Sequence, residues 1–306
     1  MRVFVTGATG LIGRALCEAL LARGHVATAL SRSPAAAGRL PAGVRVVTGD
    51  PGRPGAWQDE LARADACVNL AGEPVEGRWT ADRKRRIRAS RVDSTRNVAD
   101  VLRERGPAVL VSASAVGFYG DRGDEVLDEA AAPGTGFLAD VCREWEAAAA
   151  PAAARARVVL LRTGIVLAAQ GGALPRMVRP FRLFAGGPLA DGAFFQPWIH
   201  LADEVGLILL ALEDPRARGP LNAAAPEPAR NRDVARAIGR VLSRPSLLPA
   251  PALAIRLAVG EMASVVLSSQ RAVPRRALEL GYRFRFPELE AALRDLLAST
   301  TTTTTT

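Results

Sequence analysis

Lysine is almost missing. Of the 40 lysines and arginines in this 306-residue chain, Lys84 is the one lysine, which leaves 39 arginines. Tyrosine occurs twice (Tyr119, Tyr282), histidine twice (His25, His200) and cysteine three times (Cys17, Cys67, Cys142). A multi-histidine or multi-cysteine metal centre cannot be assembled from that supply, so no metal site is expected. Neither tyrosine has a lysine near it in sequence, which excludes an acid/base pair of tyrosine and lysine one helical turn apart. The cysteines are distant from one another and odd in number, so no disulfide framework is implied. Long apolar runs are also missing. The longest, Val205 to Leu212, falls far short of the ~20 residues that span a bilayer. The chain opens directly on Met1-Arg2-Val3-Phe4-Val5, with no room for a targeting segment, so a reducing cytoplasm is the expected location and no membrane partner is expected.

What is present is a globular composition: 49% hydrophobic and 23% charged residues, which excludes disorder over most of the chain. The length fits one large domain or two closely joined ones. A net charge of +9 invites a nucleic-acid partner. Against that stand the 5% aromatic content and the spread of arginine through nearly every segment, which read as compositional background. No nucleic-acid partner is expected.

Short apolar runs alternate with helical patterns through the first half. Strands are expected at Arg2–Thr6, Val26–Leu30, Val44–Thr48, Cys67–Leu70, Val109–Ser112 and Val158–Leu161. Helices are expected over Gly13–Arg23, Trp57–Ala64, about Thr80–Arg105 and Gly136–Ala150. Strand–helix alternation predicts an α/β fold, a Rossmann-type doubly wound parallel sheet. Beyond Gly164 the pattern loosens, with helices expected at Val205–Leu212, Asn231–Leu242, Ala252–Val266 and Pro287–Leu297. The division that follows is a dinucleotide-binding domain over 1–170, with a contribution from about 198–225. A smaller, mostly helical substrate domain covers 171–298, and 299–306 is a threonine tail expected to be disordered.

Gly7-Ala8-Thr9-Gly10-Leu11-Ile12-Gly13 falls between the first strand and the first helix. There Gly7 makes the tight turn, Gly10 lets backbone approach a pyrophosphate, and Gly13 lets helix pack on sheet. The second strand ends in Ser31-Arg32-Ser33 with no acid for a ribose hydroxyl. Arg32 can fork onto a 2′-phosphate with Ser31 beside it, which favours NADP(H) over NAD. Asp50, at the end of the third strand, is placed to meet the adenine.

The glycine loop, Asn69-Leu70-Ala71-Gly72-Glu73-Pro74, Ser90-Arg91-Val92-Asp93-Ser94-Thr95-Arg96 and Ser112-Ala113-Ser114 with Tyr119-Gly120 resemble the extended short-chain dehydrogenase/reductases. Further segments are similar to an epimerase-like branch sometimes labelled cell-division-inhibitor-like, which carries a small C-terminal domain: Trp145-Glu146, Arg162-Thr163-Gly164, Trp198-Ile199-His200 and Gln270-Arg271-Ala272-Val273-Pro274. The resemblance runs from residue 1 to about 297. It implies a Rossmann domain with an NADP(H) site formed by Gly7, Thr9, Gly10, Leu11, Ile12, Gly13, Leu70, Ala71, Gly72, Ser112, Ala113, Thr163 and Gly164, but it names no substrate.

The same family moves a hydride with a tyrosine, a lysine and a serine. Ser114 fits the serine. Phe137 and Val141 stand at about the tyrosine and lysine positions, and neither transfers a proton. Tyr119 is the fallback acid/base, with a pocket-wall role as its alternative. On the basic helix, Arg91 falls on the same inward stripe as Ile87, Thr95, Val98 and Leu102. An inward arginine calls for an anion, here the cofactor diphosphate or an anionic substrate. The expected activity is reduction or epimerisation of a small polar substrate held between the domains, by a monomer or homodimer. The alternative is a non-catalytic, NADPH-responsive binding protein.

Overall fold

The computed structural model describes residues 1–298; the threonine tail from Ser299 to Thr306 lies outside them. Seven strands form one sheet: β1 (Arg2–Thr6), β2 (Val26–Ser31), β3 (Arg45–Thr48), β4 (Ala66–Asn69), β5 (Val109–Ala115), β6 (Arg157–Thr163) and β7 (Gly219–Ala223). Their spatial order is β3-β2-β1-β4-β5-β6-β7, every neighbour parallel. Side chains alternate between the two faces, as the two-residue period of a strand requires. Val3, Val5, Ala66, Val68 and Val111 join a core closed by the helices Leu11–Ala22 and Leu201–Glu213. Phe4, Leu30, Cys67 and Leu110 face the other way, against Trp57, Leu61 and the long helix Ala81–Glu104. The fold is therefore a doubly wound α/β sheet of the Rossmann type, as the alternation predicts.

Four differences from the expected elements have physical causes. Strand β5 runs past Ser112 to Ala115 because Ala113, Ser114 and Ala115 pair in register with Leu161, Arg162 and Thr163; neighbours, not propensity, extend it. Strand β7, Gly-Pro-Leu-Asn-Ala, has no β-branched residue to announce it and exists by pairing with β6 at the sheet edge. The helix expected over Ala252–Val266 is broken at Gly260, whose φ of +64° ends Ala252–Val259 before a second short helix at Ala263–Val266. The helix Leu174–Arg182 was not expected, since Pro175 and Pro180 lie in it; the first sits in the opening turn, where a proline costs no hydrogen bond.

A second core gathers Leu174, Val178, Phe181, Trp198, Val234, Ile238, Leu293 and Leu296. The C-terminal segment is held to the rest at Asp203, a fully buried carboxylate on the helix Leu201–Glu213. It accepts from Arg285 N at 2.7 Å, Phe286 N at 2.9 Å and the Tyr282 hydroxyl at 3.0 Å. His200 stacks on Phe286 at 3.9 Å and its Nδ1 accepts from Ala202 N, so His200 packs against the C-terminal segment. All three cysteines are free and buried.

Removing the acceptor strands two backbone donors and a phenol in the interior. Asp203→Ala is expected to cost about 3 kcal/mol of unfolding free energy in a denaturant titration. A loss below about 1 kcal/mol would mean that water replaces the carboxylate.

Candidate functional site

Because every strand of the sheet is parallel, all carboxyl ends emerge on one rim. The rim residues are Gly7–Gly13 after β1, Ser31 and Arg32 at the end of β2, Asp50 after β3, Leu70–Gly72 after β4, Ser112–Ser114 on β5, and Thr163 with Gly164 at the end of β6. The order reverses between β1 and β4, the place where open α/β sheets leave a crevice for ligands.

The glycine loop is built by close approach. Gly7 has φ +66°, and a Cβ there would lie 2.5 Å from Leu70 O; a Cβ on Gly13 would lie 2.4 Å from Gly7 O. Gly10 is exposed, and its N–H closes the turn onto Gly7 O at 3.0 Å. The helix Leu11–Ala22 that follows has no side-chain cap and no acid in its first turn. An uncapped, positively polarised helix end behind a glycine turn fits the phosphates of a dinucleotide. Arg32 is exposed at the neighbouring strand end, and Ser31 Oγ is turned to Ser33 O at 3.0 Å. Asp50 is exposed, with Oδ1 accepting from Gly52 N. On β5, Ser112 Oγ is buried without a hydrogen-bond partner.

Beneath the rim runs a buried polar chain. Thr6 Oγ1 donates to Asn69 Oδ1 at 2.6 Å and accepts from Ala71 N. Asn69 Nδ2 and Trp145 Nε1 both donate to Thr95 Oγ1, at 2.8 and 2.9 Å. Two strands and two helices are thereby fixed under the Leu70–Gly72 turn.

Ser114 is 3% exposed, and its hydroxyl donates to Glu146 Oε1 at 2.7 Å. Arg162 grips the same carboxylate through Nε at 2.8 Å and Nη2 at 2.9 Å. Its remaining Nη1 donates to the Tyr119 hydroxyl at 3.0 Å, and its plane lies 3.6 Å from the Phe118 ring centroid. Tyr119 has no exposed surface, donates to Asn222 Oδ1 at 2.7 Å, and burial pushes its phenol above the ordinary value. The Tyr119 oxygen is thus engaged on both sides, donating to Asn222 and accepting from Arg162. Phe137 packs edge-on against Trp79 at 5.0 Å, while Val141 is buried. Cys142 is buried too, its thiol pushed up to about 12 chiefly by desolvation, so it behaves as an apolar residue.

Arg91 is turned inward against the rim. It donates to Glu73 O at 2.9 Å and Ile87 O at 3.1 Å, and a Cβ on Gly72 would lie 3.3 Å from its Cζ. Among the described residues no carboxylate forms an ion pair with it. The other cations at this helix start are paired: Arg83 with Glu73, Lys84 with Glu261, Arg85 and Arg86 with Asp82, and Arg88 with Glu144. The basic run is thus locally neutralised rather than a free cationic face.

Sequence reasoning missed the Ser114–Glu146–Arg162 contact, which joins positions 32 and 16 residues apart, and it missed Glu204. Glu204 is fully buried on the helix Leu201–Glu213 and accepts from Thr163 Oγ1 at 2.8 Å; its Oε2 has no partner. Desolvation pushes its carboxyl up to about 8. The signal was an acid on an otherwise apolar helical stripe.

Residues 3–224 match the model of the NAD dependent epimerase/dehydratase family, and residues 250–296 match a domain of unknown function, DUF1731. The chain is 42% identical to the chloroplastic SDR39U1 homolog of Arabidopsis thaliana, an epimerase family protein, over 97% of this chain and 87% of that one. Epimerase family protein YfhF of Bacillus subtilis is 34% identical over 97% of this chain and 98% of its own length. Human epimerase family protein SDR39U1 (isoform 2), solved with NADPH, superposes with a TM-score of 0.87 at 35% identity, covering 97% of this chain and 99% of that one.

Glu204 gives a signed pH dependence. Its carboxyl is pushed up to about 8 in the fold, against an ordinary value of 4.5, so between those limits the folded state holds a proton that the unfolded chain releases. Its contribution to stability is complete at low pH and falls by up to about 1.4 kcal/mol per pH unit until pH passes about 8. In Glu204→Gln the slope of unfolding free energy between pH 5 and pH 8, measured by denaturation, is expected to flatten by about that much. An unchanged slope would show that the carboxyl is ionised in the fold.

Proposed function

The chain belongs to the NAD dependent epimerase/dehydratase family, and from that premise we propose that it binds NADP(H) along the carboxyl rim of the sheet and acts as a reductase or epimerase on a small polar substrate. The observation that carries the reading is the convergence on one rim of the uncapped helix behind Gly7–Gly13, the exposed Arg32, and Ser114. In this reading Gly10, Leu11, Ile12 and Gly13 meet the diphosphate, and Ser31 and Arg32 meet the 2′-phosphate. Leu70, Ala71, Gly72, Ser112, Ala113, Thr163 and Gly164 line the remainder, with Arg91 behind Gly72 supplying positive charge. The substrate lies between the sheet domain (1–170, with about 198–225) and the C-terminal domain (171–298). The protein works as a monomer or homodimer in the cytoplasm, without a nucleic-acid partner.

The cofactor supplies a hydride when bound. The chain's own task is then to hold the substrate oxygen and to move one proton. Phe137 and Val141 supply no proton. In the oxidising direction, as the substrate gives up a hydride, Ser114 Oγ, 2.7 Å from Glu146 Oε1, can take the proton of the substrate hydroxyl while its own passes to the carboxylate held by Arg162; in reduction the same relay runs backwards and returns that proton to the substrate oxygen. Ser114 is the catalytic residue of this scheme, and Glu146 and Arg162 position it. The second reading, a non-catalytic NADPH-responsive binding protein, is favoured by Phe137 and Val141 themselves.

Calorimetric titration tests the cofactor. Arg32→Ala is expected to weaken NADPH by about tenfold or more and leave NADH unchanged. Equal effects on both would remove Arg32 from the 2′-phosphate. Turnover separates the two functional readings: NADPH oxidation with any carbonyl substrate of a panel, lost in Ser114→Ala with NADPH binding retained, supports the enzyme. The same oxidation persisting in Ser114→Ala would remove the serine from the chemistry.

A further inference from the structure

The C-terminal domain carries an apolar projection that the proposed reaction does not use. The helix Leu174–Arg182 ends with Ala185 N donating to Pro180 O and Phe184 N to Phe181 O, a pairing that requires a left-handed residue at position 184. Glycine is the usual occupant. Here it is Phe184, held at φ +59° with 60% of its surface exposed, beside Leu183 at 69%. A bulky side chain kept in a strained turn and turned outward is a reason to look for function.

A second loop lies against the first. Leu247 N and Leu248 N both donate to Gly186 O, and these leucines are 79% and 58% exposed. The apolar exposure continues in the helix Ala252–Val259, which has no buried residue and exposes Leu253 and Leu257 one turn apart.

Cations accompany the projection. Arg244 lies 4.5 Å from the Phe184 ring centroid, and Arg179 and Arg182 are exposed on the adjoining helix end. Among the described residues none of these three has an ion pair, whereas their neighbours Arg176, Arg236 and Arg240 do. A recess of about 410 Å³ beside Leu247 is lined by Arg236, Arg240, Arg244 and Ser246. Ser246 Oγ is buried there without a hydrogen-bond partner.

We propose that this surface docks on an anionic phospholipid bilayer. Phe184, Leu183, Leu247 and Leu248 enter the headgroup boundary, and Arg179, Arg182, Arg244 and the recess take lipid phosphates. Protruding side chains favour a bilayer over a peptide, because a groove that binds a peptide helix buries its apolar lining, whereas each of these four is more than half exposed. A spanning helix is not needed for such attachment, so the lack of one among the described residues does not bear on it.

Co-sedimentation with vesicles tests the proposal. Binding is expected to vesicles of mixed phosphatidylglycerol and phosphatidylcholine and not to phosphatidylcholine alone. The triple variant Phe184→Ser, Leu247→Ser, Leu248→Ser is expected to lose at least about tenfold in partition while keeping NADPH affinity. Phe184→Gly gives a sharper signature: vesicle binding falls while the melting temperature holds or rises, because glycine relieves the turn. Binding that persists in the triple variant and vanishes in high salt would be adsorption of a cationic protein, and would overturn the proposal. So would absent binding together with a dimer that the triple variant dissociates, or with retention on an immobilised acidic polypeptide.

Discussion

One ion pair in the interior governs the arrangement of the site. Arg162 and Glu146 keep 4% and 10% of their side-chain surface. Withdrawing two charges from water costs several kcal/mol per ion, and only complete satisfaction of both offsets it. Glu146 receives the guanidinium on two oxygens and the Ser114 hydroxyl as well. Arg162 spends its remaining donor on Tyr119 and Glu129 O and its face on Phe118. Each partner is therefore fixed by the need of the charge it serves. The Ser114 hydroxyl of β5, the Tyr119 hydroxyl and the helix Phe137–Ala149 are set by one electrostatic requirement rather than by separate packing choices.

The same requirement explains which parts of the site can be read from the sequence. The glycine loop is local as a pattern: a strand, three glycines and a helix lie within a short stretch, and Gly13 is selected by the carbonyl of Gly7 in the same loop, although the clash that selects Gly7 comes from Leu70 O after β4. The inward direction of Arg91 is also local, since helical spacing alone decides it. The Ser114–Glu146–Arg162 contact is not. It forms only when β5 and β6 pair in register and the intervening helix lies across them. Strand β7 is illegible for a related reason, because the pairing that creates it comes from β6 and not from its own residues. The hydrogen bonding of Tyr119 is illegible for the same reason, because its hydroxyl donates to Asn222, a partner 103 positions away.

Arginine is abundant throughout, and its physical meaning differs from place to place. At the start of the long helix the cations meet Asp82, Glu73, Glu144 and Glu261, and the run contributes little net field. Such exposed pairs are worth little in stability, but they cancel charge that would otherwise repel. Arg157 is spent differently, donating to the carbonyls of Ala211, Leu212 and Ala217 at the end of the helix Leu201–Glu213. There the guanidinium closes a helix terminus whose last carbonyls have no helical partner. Net charge is a poor guide to this molecule, because what each arginine does depends on which acceptor faces it.

Lys84 is the sole lysine, and it reaches from the long helix to Glu261 in the turn after Gly260, a contact between the sheet domain and the C-terminal segment. Apart from the chain's amino terminus there is no other primary amine in the protein. Amine acylation, read at Lys84 by peptide mapping so that the amino terminus is scored apart, is therefore a natural probe of that junction. The rate at which the lysine is modified measures how often the two parts separate there, without any residue having to be introduced.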